Sequence, residues 1–324
     1  GRISHNETAI NTFVLMLNDL VNRCAPLPPD ATLCILGAGF SGGHLAKLSK
    51  ALGTRVICTR RRPESGSDDL PFDSANGIVP GHEALASVTH LISTIPPSKE
   101  GTDPVLSCLG EQLQKLPLQW VGYFSTTGVY GNSHGNWVDE THQPQPTQLR
   151  SQKRLACEQL WRNSGLPVQI LRLPGIYGPG RSPLAAIRSG ELTPVDQPGQ
   201  MFCRIHVDDL AGACWHLMHR AATGQRPLVV NISDNRPASR LELQRFGAEL
   251  LGCTLPAAIP FREAQASMSP MALSFWADNR KVSNALLRDE LGYSFLHPDF
   301  SSGLKDCFAA EGFNGMNPEP EAEP

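Results

Sequence analysis

The sequence has no cysteine pair with CxxC spacing, no long apolar run and no excess of basic residues. Its nine cysteines are an odd number, and several stand in apolar runs such as Leu33-Cys34-Ile35, which predicts buried free thiols in a reducing compartment. No stretch reaches the ~20 apolar residues that span a bilayer, and no cysteine or histidine cluster has zinc-site spacing. Lys and Arg number 28 against 31 Asp and Glu, a net charge of −3. We therefore expect a cytoplasmic protein without a metal that binds neither nucleic acid nor membrane.

The 324 residues, of which 40% are apolar, are enough for a sizeable core and about two domains. From Ala31 onward, short apolar runs alternate with helical patterns, which predicts an α/β fold with a doubly wound parallel sheet covered on both faces. The expected strands are Thr32–Leu36, Arg55–Thr59, Thr89–Ser93, Trp120–Ser125, Val168–Leu173 and Leu228–Ile232.

Changes in pattern along the chain suggest its organisation. A helix over 6–23 is followed by a proline-rich break, and the strand–helix alternation weakens after about residue 180. The expected parts are a helical N-terminal appendage (1–29), a dinucleotide-binding domain (30–180, completed by about 205–235), a smaller substrate lobe (181–204 and 236–312) and a disordered, acidic tail (313–324).

A glycine-rich loop follows the first predicted strand and opens the first predicted helix of this unit. Gly37, Gly39 and Gly42 form GxGxxG in a βαβ context, which indicates a Rossmann-type dinucleotide site. Gly37 permits the tight turn, Gly39 lets the backbone approach a pyrophosphate, and Gly42 lets the helix pack on the strand. Phe40 and Ser41 belong to the same loop and would contact the cofactor at the helix N-terminus.

The end of the second strand favours NADP over NAD. An NAD site usually has Asp or Glu at this place for the ribose 2′-hydroxyl, whereas this chain reads Arg60-Arg61-Arg62 and has no carboxylate before Glu64. Guanidinium groups can bind a 2′-phosphate in a forked manner, so Arg60 and Arg61 are the expected contacts. A solvated basic turn is the alternative.

Four further segments, in order, resemble those of extended short-chain dehydrogenase/reductases of the NAD-dependent epimerase/dehydratase type. The likeness extends over roughly 31–312. The segments are Ser125-Thr126-Thr127-Gly128-Val129-Tyr130-Gly131, Leu171-Arg172-Leu173-Pro174-Gly175-Ile176-Tyr177-Gly178-Pro179-Gly180, Arg204-Ile205-His206-Val207-Asp208-Asp209 and Asn231-Ile232-Ser233-Asp234.

Two departures from the family pattern indicate an atypical branch. Extended members usually have three residues between the first two glycines, whereas this chain has one. The family's Tyr-x-x-x-Lys is also incomplete: Lys153 is present, but Leu149 stands at the tyrosine position. Four residues apart on one helix, these two side chains would both point at the cleft.

The resemblance implies a role for each candidate residue. Thr126 matches the hydroxyl that holds the substrate oxygen, Tyr130 is the nearest substitute proton donor, and Lys153 would hold the nicotinamide ribose, so these three are the catalytic candidates. The alternatives are a strand cap, a packed tyrosine and a surface lysine. Further cofactor contacts would come from Thr94, Pro174, Gly175 and Ile176, and substrate contacts from Thr127 and Arg150.

Two functions remain open on the sequence. The first is an NADP-dependent oxidoreductase or epimerase acting on a sugar-like or carbonyl substrate. The second is a non-catalytic NADP-binding sensor or assembly factor, which the missing tyrosine at Leu149 favours. Either protein would bind a small molecule as a monomer or homodimer. Arg150 would hold an anionic group of the substrate or bridge to carboxylates near Glu158.

Overall fold

The computed structural model describes residues 19–313. Its centre is a seven-stranded sheet in which every neighbouring pair is parallel, in the order β3-β2-β1-β4-β5-β7-β11. The predicted Rossmann-type α/β fold is therefore confirmed, with the strand order reversing between β1 and β4. The seven strands are β1 (Thr32–Leu36), β2 (Arg55–Arg60), β3 (Leu70–Pro71), β4 (His90–Ser93), β5 (Trp120–Thr126), β7 (Val168–Leu173) and β11 (Val229–Asn231).

Three two-stranded parallel pairs lie outside this sheet. Their strands are β6 (Trp137–Val138) with β13 (Lys281–Val282), β8 (Gly175–Tyr177) with β10 (Arg204–His206), and β9 (Val195–Asp196) with β12 (Ile259–Pro260). The β8–β10 register sets Arg204 beside Gly175.

Helices cover the sheet and build the smaller lobe. The α-helices are α1 (Phe40–Ala51), α2 (His82–Leu85), α3 (Pro104–Leu113), α4 (Leu149–Arg162), α5 (Leu184–Ser189), α6 (Val207–Ala222), α7 (Arg240–Leu251), α8 (Phe261–Ala264), α9 (Pro270–Ala277) and α10 (Phe300–Ala310). Short 3₁₀ turns occupy Ser74–Asn76, Thr127–Tyr130 and Gln265–Ser267, and a π-helical turn occupies Leu286–Glu290.

Alternate side chains of the buried strand β5 enter two different cores. Trp120 and Phe124 belong to the cluster that also contains residues of α1 and α6. Val121 and Tyr123 belong to a second cluster with residues of α3 and α4. Because successive side chains of a strand point to opposite faces, the central sheet is covered on both sides, as the apolar runs predict.

A third apolar cluster holds the smaller lobe together. It joins α5, α7 and α10 through Leu184, Leu243 and Leu304. At the end of α10, Phe313 stacks against Phe308 at a centroid distance of 6.1 Å, so the predicted disordered tail does not begin at Phe313. The predicted tail over 314–324 lies outside the described residues.

The segment before β1 was expected to be an appendage, but its described part belongs to the core. Leu20 and Leu27 are buried in the same cluster as α1 and α6. The indole Nε1 of Trp215 also donates to the carbonyl of Ala25 at 2.7 Å. Apolar residues of 19–29 therefore cover one side of the sheet. Residues 19–23 are helical, as predicted, and the part of the predicted helix before residue 19 lies outside the described residues.

Candidate functional site

The glycine loop after β1 has the shape of a phosphate-binding turn. Gly37 has φ +91°, and a Cβ there would lie 2.4 Å from Oγ1 of Thr94, so no other residue fits without displacement. Thr59 accepts the N–H of Gly37 at 3.0 Å, and Thr94 donates to the Gly37 carbonyl at 2.5 Å. The ends of β2 and β4 thus fix the turn, and Thr94 shapes this wall of the cleft.

The next two glycines have opposite surroundings. Gly39 precedes α1 and has nothing within 4 Å of its Cβ position, whereas a Cβ on Gly42 would lie 2.7 Å from the Gly37 carbonyl oxygen. No side chain caps the N-terminus of α1, so the N–H groups of its first turn are available to an anion. The arrangement fits a pyrophosphate.

Phe40 and Ser41 lie in this first turn without lining the groove with their side chains. The ring of Phe40 instead lies under the guanidinium of Arg181, 4.7 Å from its centroid. Their contribution to an anion site is therefore that of backbone N–H groups, and the side chain of Phe40 links the sheet to the loop that follows β8.

The three arginines after β2 lie along the same groove. Arg60, Arg61 and Arg62 line a groove of about 1060 Å³ together with Gly37, Gly39 and Thr94. Arg60 is held by Asp69, with Nε 2.8 Å from Oδ2. Its guanidinium lies 3.8 Å from the Cβ position of Gly43 in the first turn of α1. The groove therefore has a cationic end beside its phosphate loop.

A second, inner cavity of about 400 Å³ lies at the ends of β5 and β7. Thr126, Thr127, Arg150, Pro174 and Gly175 all line it. Since β4 and β5 are neighbouring strands, this cavity lies next along the sheet edge from the groove that Thr94 lines. Four of the five residues lie at strand ends, where open α/β sheets bind ligands.

Thr126 combines two of the roles considered for it. Its Oγ1 accepts the N–H of Gly128 at 3.1 Å and so caps the 3₁₀ turn that follows β5. The same side chain lines the inner cavity. Because that oxygen accepts the backbone bond, its hydrogen remains available to a ligand oxygen.

The prediction that Leu149 and Lys153 both point at the cleft is wrong for Leu149. Its side chain is 65% exposed and does not line the cavity, whereas the flanking Gln148, Arg150 and Ser151 do. Lys153 does not line the inner cavity either; its Nζ donates to the carbonyl of Lys99, a residue of the groove wall, at 2.6 Å. The face of α4 that meets the cavity therefore contains Arg150 and Ser151 and does not contain Leu149.

Tyr130 was the candidate proton donor, and the structure places it away from the cavity. Its hydroxyl donates to Oδ1 of Asn231 at 2.7 Å, and Arg172 lies over its ring at 4.9 Å. Burial is the main cause that raises the pKa of Tyr130. A buried hydroxyl already engaged with Asn231 is a structural group, so Tyr130 is withdrawn as a catalytic candidate.

Arg150 does not bridge to Glu158, which was one of its two predicted roles. Glu158 is fully buried and accepts hydrogen bonds from Nε and Nη2 of Arg172, at 3.1 and 2.8 Å. Arg150 instead donates to Oγ of Ser274 at 2.8 Å.

Ile176 was a predicted cofactor contact, but its side chain packs against the core and does not line the cavity.

Sequence reasoning missed three arginines and a serine that line the inner cavity. Arg204 stands in a segment used for the family resemblance, but nothing in a single sequence marks it and Arg280 as facing one space. Arg240 begins α7, far along the chain, and Ser151 is buried beside Gly128. The signal that could have found them is the chain's tertiary contact pattern, not a local motif.

One cluster within residues 19–313 has metal-ligand spacing, and its hydrogen bonds do not suit a metal. It comprises His206, Asp208, His297 and Asp306. His206 Nδ1 accepts the N–H of Asp208, so Nε2 carries the proton shared with Asp306 at 2.8 Å. A metal bound to Nε2 of His206 would move the ring proton to Nδ1. That proton would then point at the N–H of Asp208, which is itself a donor. The cluster therefore joins α6 to α10 by hydrogen bonds.

Comparisons with known proteins agree with the fold. The model of the NAD dependent epimerase/dehydratase family matches residues 99–233. The chain is similar to a functionally unknown conserved protein from Silicibacter pomeroyi DSS whose structure has been solved. The two sequences are 36% identical, the TM-score is 0.77, and the match covers 86% of this chain and 98% of that chain.

Two further solved structures share the fold. One is a putative NAD-dependent epimerase/dehydratase from Methylobacillus flagellatus, 28% identical, with a TM-score of 0.67 and coverage of 86% of this chain and 98% of that chain. The other is a human epimerase family protein, SDR39U1 (isoform 2), solved with NADPH, at 21% identity, TM-score 0.65 and coverage of 85% and 98%.

The fold and the glycine loop define an NAD(P)-binding protein of the extended short-chain dehydrogenase/reductase type. The chain belongs to the NAD dependent epimerase/dehydratase family. Among the helices of residues 19–313, none has the length and apolar character needed to cross a bilayer.

Proposed function

We propose that the protein is an NADP-dependent oxidoreductase or epimerase that acts on a sugar-like or carbonyl substrate. The observation that carries the proposal is the placement of two cavities at neighbouring strand ends. The groove contains the phosphate loop and the arginines after β2, and the inner cavity contains Thr126 and the Pro174-Gly175 loop. A dinucleotide laid along the groove would bring its far end to the inner cavity.

The residues of the groove fit the cofactor. The uncapped N-terminus of α1 and the open space at Gly39 suit a pyrophosphate. Arg60 and Arg61 offer guanidinium groups at the adenosine end, where a 2′-phosphate would distinguish NADP from NAD. When bound, the nicotinamide group supplies hydride chemistry.

Within the inner cavity, hydroxyl groups would orient the substrate oxygen. Thr126 Oγ1 and Ser151 Oγ lie 3.3 and 2.5 Å from the Cβ position of Gly128, on the cavity wall. Thr126 would donate its hydrogen to the substrate oxygen, and Ser151 would hold a water or a second substrate oxygen nearby. Lys153, at the groove wall, would reach the nicotinamide ribose after leaving the Lys99 carbonyl.

A non-catalytic NADP-binding sensor or assembly factor is the second candidate, and one observation favours it. Among the described residues, no tyrosine lines the inner cavity. A positioned proton donor typically contributes 10²–10⁴-fold to the rate, so an enzyme lacking one would be slow or would use a substrate that supplies its own acid. In either case we place the protein in a reducing compartment such as the cytoplasm, since all nine cysteines are free thiols.

The two candidates are separated by turnover over a panel of carbonyl and sugar substrates, measured as NADPH oxidation by absorbance and as inversion at a sugar carbon by NMR, because an epimerase consumes no NADPH. The comparison uses the starting protein and Thr126→Val, with Thr141→Val as a matched control whose hydroxyl bonds to the exposed Asp139. Turnover that Thr126→Val abolishes and Thr141→Val retains supports the enzyme. Tight NADP binding without turnover on any substrate supports the sensor.

A further inference from the structure

The inner cavity has an unusual charge. Among the described residues that line it, the ionised side chains are one aspartate and four arginines, which are Arg150, Arg204, Arg240, Arg280 and Asp278. The arginines come from α4, β10, α7 and the segment before β13. Four separate parts of the chain therefore bring guanidinium groups to one space of about 400 Å³.

Two carboxylates act on the two buried arginines of this wall, Asp234 on Arg204 and Asp278 on Arg280. Arg204 donates to the backbone carbonyls of Phe202 and Ala238, at 3.3 and 3.2 Å. Arg240 lies over the rings of Phe202 and Trp276, 4.6 and 5.2 Å from their centroids. A guanidinium has five N–H donors, so most donors of Arg204 and Arg240 are not used by the protein.

The other two arginines are little better paired. Arg280 donates to the Gly131 carbonyl at 3.1 Å and is 3.5 Å from Asp278, whose carboxylate also accepts the Thr147 hydroxyl at 2.8 Å. Arg150 bonds to the hydroxyl of Ser274. Asp278 is thus the one carboxylate shared by this part of the cavity wall.

The same chain shows how it compensates an arginine when the role is structural. Arg172 is 1% exposed and forms a two-pronged ion pair with the fully buried Glu158. Arg236 pairs with Glu242, and Arg288 pairs with Asp289. Compared with these three arginines, the cavity arginines have fewer close carboxylate partners, so more of their positive charge is not neutralised within the protein.

The helix positions of two cavity arginines also disfavour a structural role. Arg240 is the first residue of α7, and Arg150 is the second residue of α4. Cations at a helix N-terminus are destabilising, because that end of the helix is itself positive. Two helices therefore bring their positive ends and an arginine each to the same wall. Ser239 and Glu242 offset this at α7 in part, and a bound anion would stabilise both helix ends further.

The arginines also weaken one another's charge. Burial is the main cause that lowers the pKa of Arg204 and of Arg280. Asp234 raises the pKa of Arg204 in part and Asp278 that of Arg280, whereas the nearby Arg240 lowers the first and Arg150 lowers the second. Like charges are thus close enough to repel, and an anion between them would relieve the repulsion.

We propose that the inner cavity binds a compact substrate that carries at least two negative charges, as phosphate or carboxylate groups, and no nucleotide. The proposal deepens the proposed function, on which it rests for the identity of the cavity as the substrate site. Forked guanidinium donors match phosphate and carboxylate oxygens. The size of the cavity, at the low end of ligand pockets, favours a compact polyanion over a nucleoside diphosphate sugar.

The test is calorimetric titration of the 324-residue chain, saturated with NADP⁺ so that the phosphate loop is occupied. The ligands are pyrophosphate, citrate, UDP-glucose and uncharged methyl glucoside, each at about 0.15 M salt. Pyrophosphate or citrate should bind, and methyl glucoside should not. Arg240→Gln and Arg280→Gln should each weaken pyrophosphate binding about tenfold or more, whereas Arg236→Gln, which removes an exposed pair with Glu242, should not.

The outcomes that overturn the proposal are distinct. Pyrophosphate and citrate that fail to bind, or that bind equally to Arg240→Gln and Arg280→Gln, would exclude an anion site. UDP-glucose binding more than tenfold tighter than pyrophosphate through Arg240 would show a nucleotide sugar instead. Thermal unfolding and NADP⁺ affinity verify that each variant is folded, and Arg240→Lys, which retains the charge without the fork, should lie between the starting protein and Arg240→Gln.

Failure of the proposed function has a separate signature. If NADP⁺ does not bind, the same titrations are made on Arg60→Asp with Arg61→Ala, in which the groove has lost its own cationic end. Anion binding that persists there and depends on Arg240 would retain the polyanion site while excluding the NADP-dependent reaction.

Discussion

Tyr130 donates its hydroxyl hydrogen to Oδ1 of Asn231 at 2.7 Å, in the interior behind the inner cavity. Arg172 lies over the tyrosine ring and is itself held by Glu158. Asn231 in turn donates its side-chain N–H to Glu140 at 3.2 Å. This buried polar network supports the end of β5 and the turn that carries Thr126, so its residues act on the site by holding its shape.

Tyr130→Phe should reduce stability and leave the site working. The change leaves an acceptor of the buried Asn231 without its donor, which costs about 1–3 kcal/mol. Urea unfolding should show this loss while NADP⁺ affinity and any turnover stay within about twofold of the starting protein. A turnover loss greater than tenfold in a stably folded Tyr130→Phe protein would return Tyr130 to the list of proton donors.

Leu149→Tyr should not create activity, although the family pattern places a tyrosine near this position. The Leu149 side chain is 65% exposed and lies off the cavity wall, so a tyrosine hydroxyl there would meet solvent. The measurement is NADPH oxidation over the same substrate panel for the starting protein and the variant. New turnover in Leu149→Tyr would mean that the first turn of α4 has a different rotation in the functional protein.

Gly37→Ala should damage the dinucleotide site beyond the effect of backbone strain alone. Gly37 and Gly53 both have positive φ, +91° and +78°, but only the Cβ position of Gly37 has a close neighbour, Thr94 Oγ1 at 2.4 Å. Gly53→Ala is therefore a matched control for the strain. We expect Gly37→Ala to weaken NADP⁺ binding by about tenfold or more, roughly 1.4 kcal/mol, and Gly53→Ala to leave it unchanged. Equal losses in the two variants would contradict the described loop.

The contribution of Glu140 to the stability of the protein should fall as the pH rises from about 5 to 7. Burial raises the pKa of Glu140 from 4.5 to about 7, so the folded chain retains a proton that the unfolded chain has already lost. The free energy of unfolding therefore decreases with pH across this window and levels off, for this group, above it. Asp234, whose pKa burial raises to about 8, adds to the decrease. Denaturant unfolding at several pH values should show a smaller fall in Glu140→Gln, and an equal fall would contradict the assignment.

The sequence predicted the features that depend on local pattern. Thr32–Leu36 and Val168–Leu173 are strands over the predicted residues, because continuous apolar runs of that length suit a sheet buried on both faces. Gly37, Gly39 and the arginines after β2 also line one groove, and their cofactor roles stay predictions. Each of these features depends on a few residues that lie close together in the chain.

The features that were missed depend on contacts between distant parts of the chain. The rotation of α4, which turns Arg150 and Ser151 rather than Leu149 to the cavity, is set by packing and not by spacing. Arg204 and Arg240 share a cavity only because β10 and α7 pack at the same strand ends. Tyr130 stands in a familiar segment, but only its contact with Asn231 shows that its hydroxyl is occupied.

The dissociation constants of NADP⁺ and NAD⁺ test the central claim most directly. They are to be measured for the starting protein and for Arg60→Asp with Arg61→Ala, and Arg288→Gln, which removes an exposed pair away from the groove, is the control. A charge-assisted contact with the 2′-phosphate is worth about 1.5–3 kcal/mol. We expect the starting protein and Arg288→Gln to bind NADP⁺ about tenfold to a hundredfold more tightly than NAD⁺, and the double variant to lose this preference. Equal affinities for the two nucleotides in the starting protein would contradict the account.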